Sequence, residues 1–305
     1  MPPTASAAVV ARPAALSGVL YADPSSSPAA WVAANPSDRR TAAIKTKIVG
    51  VPTARWFLQA TDAQYVANYV GAAASAGRVP LLVAYDIPLR DCGSYSAGGA
   101  SSSSAYQSWI RQFAAGIGRA SAVVLLEPDS LYYSSCLTAA QLTERLRLLN
   151  DAVAVLRAAA PNAVVYLDGG TPVHGTTVAQ MASLLKRAGV AGTRGFAVNI
   201  NNFKTEDVAH NYAASLRTAL TAAGVSGSHF LIDTSRNGRQ IADTLWCNPS
   251  GAAVGARPAW NYGTDGLDGN VWFKHPGESD GACGSAAAST SGQFVPDLAY
   301  ALATN

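Results

Sequence analysis

The chain has 305 residues, 49% of them hydrophobic and 13% charged, with a net charge of +3. This composition describes a well-buried globular protein and excludes a disordered one. The small charge, with no Lys/Arg cluster interleaved with aromatics, excludes a nucleic-acid partner, and no apolar run reaches about 18 residues, so no transmembrane helix is expected.

Residues 1–17, MPPTASAAVVARPAALS, are biased to Ala, Pro and Ser and lack the apolar centre of an intact signal peptide. They are expected to form a disordered arm or linker remnant ahead of one domain over 18–305. A short helix is expected around Trp31. A strand follows over 54–58, then a helix over 63–76 and a strand over 79–85. Trp109, Ile110, Phe113 and Ile117 recur at helical spacing and predict a helix over 105–118. A third strand is expected over 122–127. The helix over 138–160 opens on a capping box, Thr138 with Gln141, presents a Leu142, Leu146, Leu149, Val153, Leu156 stripe, and stops at Pro161. Strands over 163–167, 195–200, 229–232 and 270–274 alternate with helices over 176–187 and 208–223.

This alternation means a parallel sheet, closed as a barrel or open and doubly wound. Asp91, Asp129, Asp168, Asp233, Glu278 and Asp280 all fall at or just past strand C-terminal ends. Barrels gather those ends at one mouth, which favours a distorted TIM-like α/β barrel of about seven parallel strands. No phosphate-cradling glycine motif follows a strand. Arg90, Arg111 and Arg119 read as a solvated face.

Crowded carboxylates repel, so one keeps its proton to higher pH. A protonated carboxyl beside ionised ones is what glycosidic cleavage requires. Asp91 and Asp129 lead this set. Their plain alternative is capping or a salt bridge, for instance with Arg90. Trp56, Tyr85, Trp246, Trp260 and Trp272 sit at strand ends or in late loops, where flat rings suit sugar faces. Trp31 and Trp109, on helices, read as core. Gly277 to Gly281 fits G-x-S-x-G, but no helix follows, and His174, His210, His229 and His275 all precede Ser279, so a serine hydrolase is rejected. The histidines are also too dispersed for a metal site.

Four cysteines, none in a C-x-x-C pair, make zinc a poor reading. Their even number allows disulfides in any of three pairings, or four buried thiols. If oxidised, they place the protein in an oxidising, exported environment.

VAYDIPLRDCGSYSAGG (83–99) resembles the first signature of glycoside hydrolase family 6, and LLEPDSL (125–131) its second. IDTSRNG (232–238), WCNPSG (246–251), VWFKHPGESDG (271–281) and GQFVP (292–296) resemble later family segments, in family order from about Tyr21 to the end. The resemblance implies inverting hydrolysis of β-1,4-glucan on a distorted barrel of about seven strands, without a cofactor or metal. It implies Asp129 as general acid, Asp91 as the neighbour that raises its pKa and orients water, and Asp280 at the position debated as base. Tyr85 would press on the distorted sugar. Trp56 and Trp246 would stack on either side of the cleavage point, and Asp168, Lys274 and Glu278 would contact substrate. The implied bridges are Cys92–Cys136 and Cys247–Cys283. Two departures stand out. Asp168 is followed by Gly169, Gly170 and Thr171, with His174 near a usual Trp, which implies a missing ring on the leaving-group side. Ala97 stands where a Ser is expected, leaving Ser96 or a carbonyl to hold water. The segments 236–247 and 246–267 are short, which predicts an open cleft and an endo-acting, secreted, monomeric enzyme on glucan polysaccharide or cello-oligosaccharide. The rivals are a chain-end cellobiohydrolase of the same family, a non-catalytic glucan binder on the same scaffold, and another barrel hydrolase acting on a different β-glycan.

Overall fold

The computed structural model describes residues 17–132, 134, 136–172, 176–263 and 265–305. The expectations for residues 1–16 and for His174 lie outside them. Two short helices, α1 (Ser27–Ala34) and α2 (Thr41–Lys47), precede β1 (Arg55–Phe57). Then come α3 (Val66–Ser75), β2 (Leu81–Ala84), α4 (Ser103–Ile117), β3 (Ala122–Leu126), α5 (Ala139–Ala159), β4 (Ala163–Asp168) and α6 (Val178–Arg187). The chain continues through β5 (Gly195–Val198), α7 (Glu206–Ala222), β6 (His229–Asp233), β7 (Ala259–Trp260), β8 (Leu267–Val271) and α8 (Pro296–Thr304).

The eight strands form one curled sheet in the order β1-β2-β3-β4-β5-β6-β8-β7. Seven pair in parallel, and only β7 runs antiparallel, against β8. β1 and β7 are thus the edges, and the sheet is a half-barrel. It curls far enough that the Ala54 amide donates to the Trp272 carbonyl at 2.9 Å and the Trp56 indole N–H to the Phe273 carbonyl at 2.7 Å.

β2, β3 and β4 are buried on both faces, which is why they read as unbroken apolar runs. Successive side chains alternate between faces. Leu82, Ala84, Val124, Leu126, Val165 and Leu167 pack outward under α3, α4 and α5, while Leu81, Val83, Val123, Leu125, Val164 and Tyr166 fill the concave side. Ala84 pairs with Leu126 and Leu126 with Leu167, so the next residues, Tyr85, Glu127 and Asp168, arrive at the rim together. The rim is laced by carboxyls that accept main-chain amides from the adjacent strand end. Glu127 takes Asp86 and Ile87 at 3.1 and 3.0 Å, and Asp233 takes Phe273 and Lys274 at 3.1 and 2.8 Å. Asp233 is therefore a brace between β6 and β8.

The capping box of α5 is present, and its stripe is buried except for Leu142, which is partly buried. Four elements depart from the sequence reading. The last parallel strand is 267–271 rather than 270–274, because Gly266, at φ +94°, turns the chain into the sheet earlier. α2 and α8 are additional helices. α8 opens with Pro at its first position, where the missing N–H costs nothing. It is held by Ala299 against Ile44 and Ile48 and by Leu302 against Phe203 and Ile241. β7 is too short to carry a period. Trp272 is fully buried and donates to the Ala256 carbonyl at 2.9 Å, so it is core rather than a sugar platform. Arg90 is 5% exposed and belongs to the interior, while Arg111 and Arg119 are exposed.

Candidate active site

The acids at the mouth occupy three distinct settings. Asp129 follows β3 in a turn where Glu127 and Asp129 both take left-handed backbone, φ +51° and +64°. Such strain costs about 1–3 kcal/mol per residue and persists only where its surroundings enforce it. Here the enforcing bond is the Asp129 amide, which donates to the Asp168 carboxylate at 2.7 Å. The Asp129 carboxyl accepts the Asn201 amide on both oxygens at 2.7 Å and the Tyr85 hydroxyl at 3.2 Å. Burial pushes its pKa up, and the Asp168 and Asp91 carboxylates push it further, against the opposing pull of Asn201 and Lys274. Asp168 is raised by burial as well, although it accepts the Asp129 and Gly170 amides. Two buried carboxyls side by side cannot both ionise freely, so one of them carries a proton to unusually high pH.

Asp91 rides the loop after β2. That loop holds Leu89, Asp91 and Cys92 at φ +58°, +55° and +48°. Arg90 clamps it from below: Nε donates to the Ser96 carbonyl at 2.8 Å and Nη1 to Leu58 at 2.7 Å and to Tyr85, with the guanidinium over the Tyr85 ring. The Asp91 carboxylate accepts the Ser96 main-chain amide at 2.7 Å. Burial raises its pKa, against the Ser96 amide, Lys274 and Arg90. The Ser96 hydroxyl lies 2.9 Å from that of Ser291.

Asp280 is the ionised acid of the three. Burial would raise it, but Arg236, at 2.8 and 3.0 Å, together with Lys274 at 3.4 Å and the Asn248 amide, outweighs burial and lowers its pKa. Lys274 also lies 5.4 Å from the Trp56 ring centroid, linking the acid cluster to the aromatic wall. Trp56 meets Tyr85 edge-on at 5.4 Å. Trp56, Tyr85, Tyr95, Lys274 and Glu278 line a cleft of about 550 Å³. Asp129 lies behind Tyr85, in a small depression shared with Asp168, Thr171 and Asn201. Glu278 is fixed by His275, whose Nδ1 is 2.7 Å away and whose other ring nitrogen bonds the Ala54 carbonyl.

Trp246 stands apart from this wall, against Tyr95 at 6.0 Å. Trp260 stacks on Tyr262 and does not line the cleft. Disulfides join Cys92 to Cys136 and Cys247 to Cys283, the pairs that the resemblance implies. The cleft is not open along its whole length. Ser96 meets Ser291, and Tyr95 meets Trp246 and packs where a side chain at Gly281 would sit, so one strap crosses it. Counting only the later segments overlooks the reach of the 91–99 loop. The sequence reading assigns no role to Asn201 or Arg236, and marks Glu127 only as a carboxylate beside Asp129 at the end of an apolar run. The Asn-rich stretch at the end of β5 was the one available signal for Asn201. No group of His, Cys, Asp and Glu among the described residues could hold a metal ion.

A paired, buried acid beside an aromatic-walled cleft on a parallel half-barrel is the equipment of a glycoside hydrolase. Residues 17–305 match the model of the glycosyl hydrolases family 6, and the chain belongs to that family, as a glycoside hydrolase of the cellulase kind. It is 43% identical over 293 residues to endoglucanase 1 of Streptomyces halstedii, covering 95% of this chain and 90% of that one. It is 41% identical to endoglucanase A of Thermobispora bispora, covering 93% of this chain and 62% of the relative's length. Among solved structures, the endoglucanase Cel6 from Mycobacterium tuberculosis in complex with methyl-cellobiosyl-4-deoxy-4-thio-β-D-cellobioside superposes with a TM-score of 0.84 at 37% identity, over 94% of this chain and 96% of that one.

Proposed function

We propose that the protein hydrolyses internal β-1,4-glucosidic bonds of cellulose and related β-glucans with inversion. The observation that carries this reading is the Asp129 carboxyl, buried, raised in pKa by Asp168 and Asp91, and aimed by Asn201 and Tyr85. Asp129 donates its proton to the leaving oxygen. Trp56, Lys274 and Glu278 bind the sugar ahead of the cleavage point, Tyr85 presses on the ring being distorted, and Trp246 stacks on the leaving-group side. Asp168 keeps Asp129 protonated and positioned. The proton released by the attacking water goes toward Asp91, whose basicity is raised, rather than to Asp280, whose basicity is spent on Arg236 and Lys274. Asp280 keeps those two cations in place.

The strap at Ser96–Ser291 favours a second reading, a chain-end enzyme whose substrate threads beneath a roof. Internal cleavage is the better supported, because the strap rests on one hydroxyl pair and one aromatic contact, which part without breaking a covalent bond. The two disulfides fit a secreted protein, and we propose a monomer whose partner is the glucan alone.

The test compares viscosity loss with reducing ends released from carboxymethylcellulose. The intact protein is expected to lower viscosity well before reducing ends accumulate, and Asp129→Asn to lose activity by about 100-fold or more. Viscosity falling only in step with reducing ends would support the chain-end reading. An unimpaired Asp129→Asn would remove Asp129 from the role of acid.

A further inference from the structure

Arg145 is the one strongly buried cation of α5. It is 3% exposed, whereas its neighbour Arg147 does what helix arginines ordinarily do and pairs in solvent with Glu144 and Asp151. Burying a guanidinium sacrifices its hydration, and a leucine would fill that face without the loss. The donors of Arg145 explain why the charge is there. Nη1 donates to the Ser130 carbonyl at 3.2 Å, and Nη2 to those of Pro88 and Leu89 at 3.0 and 2.7 Å. Ser130 follows Asp129 directly, and Leu89 lies two residues before Asp91.

We propose that Arg145 is a positioning residue, whose planar fork ties the loop carrying Asp91 to the turn carrying Asp129 and so fixes the distance between the two carboxyls. This rests on the reading of Asp129 as acid and Asp91 as its partner. The two segments are also joined at the outer end of the loop by the Cys92–Cys136 bridge, and Arg90 ties the loop to the Leu58 and Tyr85 carbonyls. Arg145 adds a tie on the inner side, made directly to Ser130 beside Asp129, so that Asp91 is anchored from both sides. A swing of the loop would otherwise be downhill, because Leu89, Asp91 and Cys92 all hold left-handed backbone that relaxes once its anchors go. A lysine reaches one carbonyl as a point donor but cannot fork across three.

The consequence is legible in the pH profile. The groups facing Asp129 are Asp168 at the end of β4, Asp91 and Tyr85 from the β2 side, Lys274 after β8, and Asn201 after β5. Of these, only Asp91 rides on the segment that Arg145 anchors. Asp91 raises the Asp129 pKa, so its drift lowers that pKa, and the alkaline limb of activity moves to lower pH.

The experiment measures kcat, KM and the pH profile on a soluble cello-oligosaccharide for Arg145→Lys and Arg145→Gln, with thermal unfolding of each. The expected result is a folded protein with kcat down about 10- to 100-fold, KM within about threefold, and the alkaline limb displaced acidward. Folded variants with near-normal kcat and an unmoved limb would overturn the proposal. So would variants that fail to fold, since Arg145 would then serve folding alone. Asp129→Asn runs alongside on an aryl cellobioside whose leaving group needs no proton. If it keeps the alkaline limb of the intact protein, the assignment of the acid fails. If it loses that limb while the Arg145 variants keep theirs, only the positioning role fails.

Discussion

At the scale of single residues, the site separates four look-alike carboxylates by what they accept. Glu127, Asp129, Asp168 and Asp233 are all acids at or just past a strand end, and the sequence offers no way to tell a brace from an acid catalyst. The difference lies in donors supplied from distant chain positions. Glu127 and Asp233 accept main-chain amides from the adjacent strand end, while the Asp129 carboxyl accepts, among the described residues, from the side chains of Asn201 and Tyr85. Asp91 and Asp129 were legible because charge at the end of an apolar run is conspicuous. Asn201 was not, because a neutral amide in a loop has no such contrast. The pair Asp129 and Asp168 sets a prediction. The acid must be protonated, and the Asp168 charge raises its pKa, so Asp168→Asn lowers it and activity fails at lower pH than in the intact protein. The alkaline limb of the kcat profile on cello-oligosaccharide is the measurement, and a limb that stays put or moves alkaline contradicts the account. The amide can accept only one of the two main-chain N–H groups that Asp168 now holds, so kcat should fall as well.

Among elements, the strands were legible and the loops that aim the side chains were not. β2, β3 and β4 are apolar throughout because both faces are covered, and a capping box announces α5. The 91–99 loop has no periodicity. Its shape comes from three side-chain devices, Arg90, Arg145 and the Cys92–Cys136 bridge, two of which act through main-chain carbonyls that no motif marks. The bridge closes a separation of 44 residues. Replacing both cysteines by serine should cost about 2–4 kcal/mol of stability by freeing the unfolded chain, read as a lower urea midpoint. It should also depress kcat at temperatures where the variant is still folded, because the loop loses its outer tie and keeps only those of Arg90 and Arg145. Full activity in the folded variant would mean that the bridge serves stability alone. α2 and α8 escaped notice for another reason. Each is too short to show a stripe, and each is stabilised by the other through Ile44, Ile48 and Ala299, a tertiary effect that local propensity does not carry.

For the molecule as a whole, the buried rim makes stability a function of pH. Burial raises Glu127 to about 8 and Asp86 and Asp233 to about 6, each above its value in an unfolded chain. The folded state therefore binds more protons than the unfolded one between about pH 4 and pH 8, and stability falls as pH rises through that window. Asp280 works in the opposite sense, but its depressed pKa places its contribution at the acidic end. The thermal midpoint should be higher at pH 5 than at pH 9 at matched ionic strength, and the reverse order would contradict this balance. The sheet curls without pairing its first strand to its last parallel one, and two bonds to the Trp272 and Phe273 carbonyls bring those ends together. One of the two comes from Trp56, the ring proposed to hold the substrate. The molecule thus grips sugar with the same side chain that fastens its own collar: when the collar loosens, grip on the substrate goes first, while the proton donor, seated deep between fully laddered strands, stays where it was.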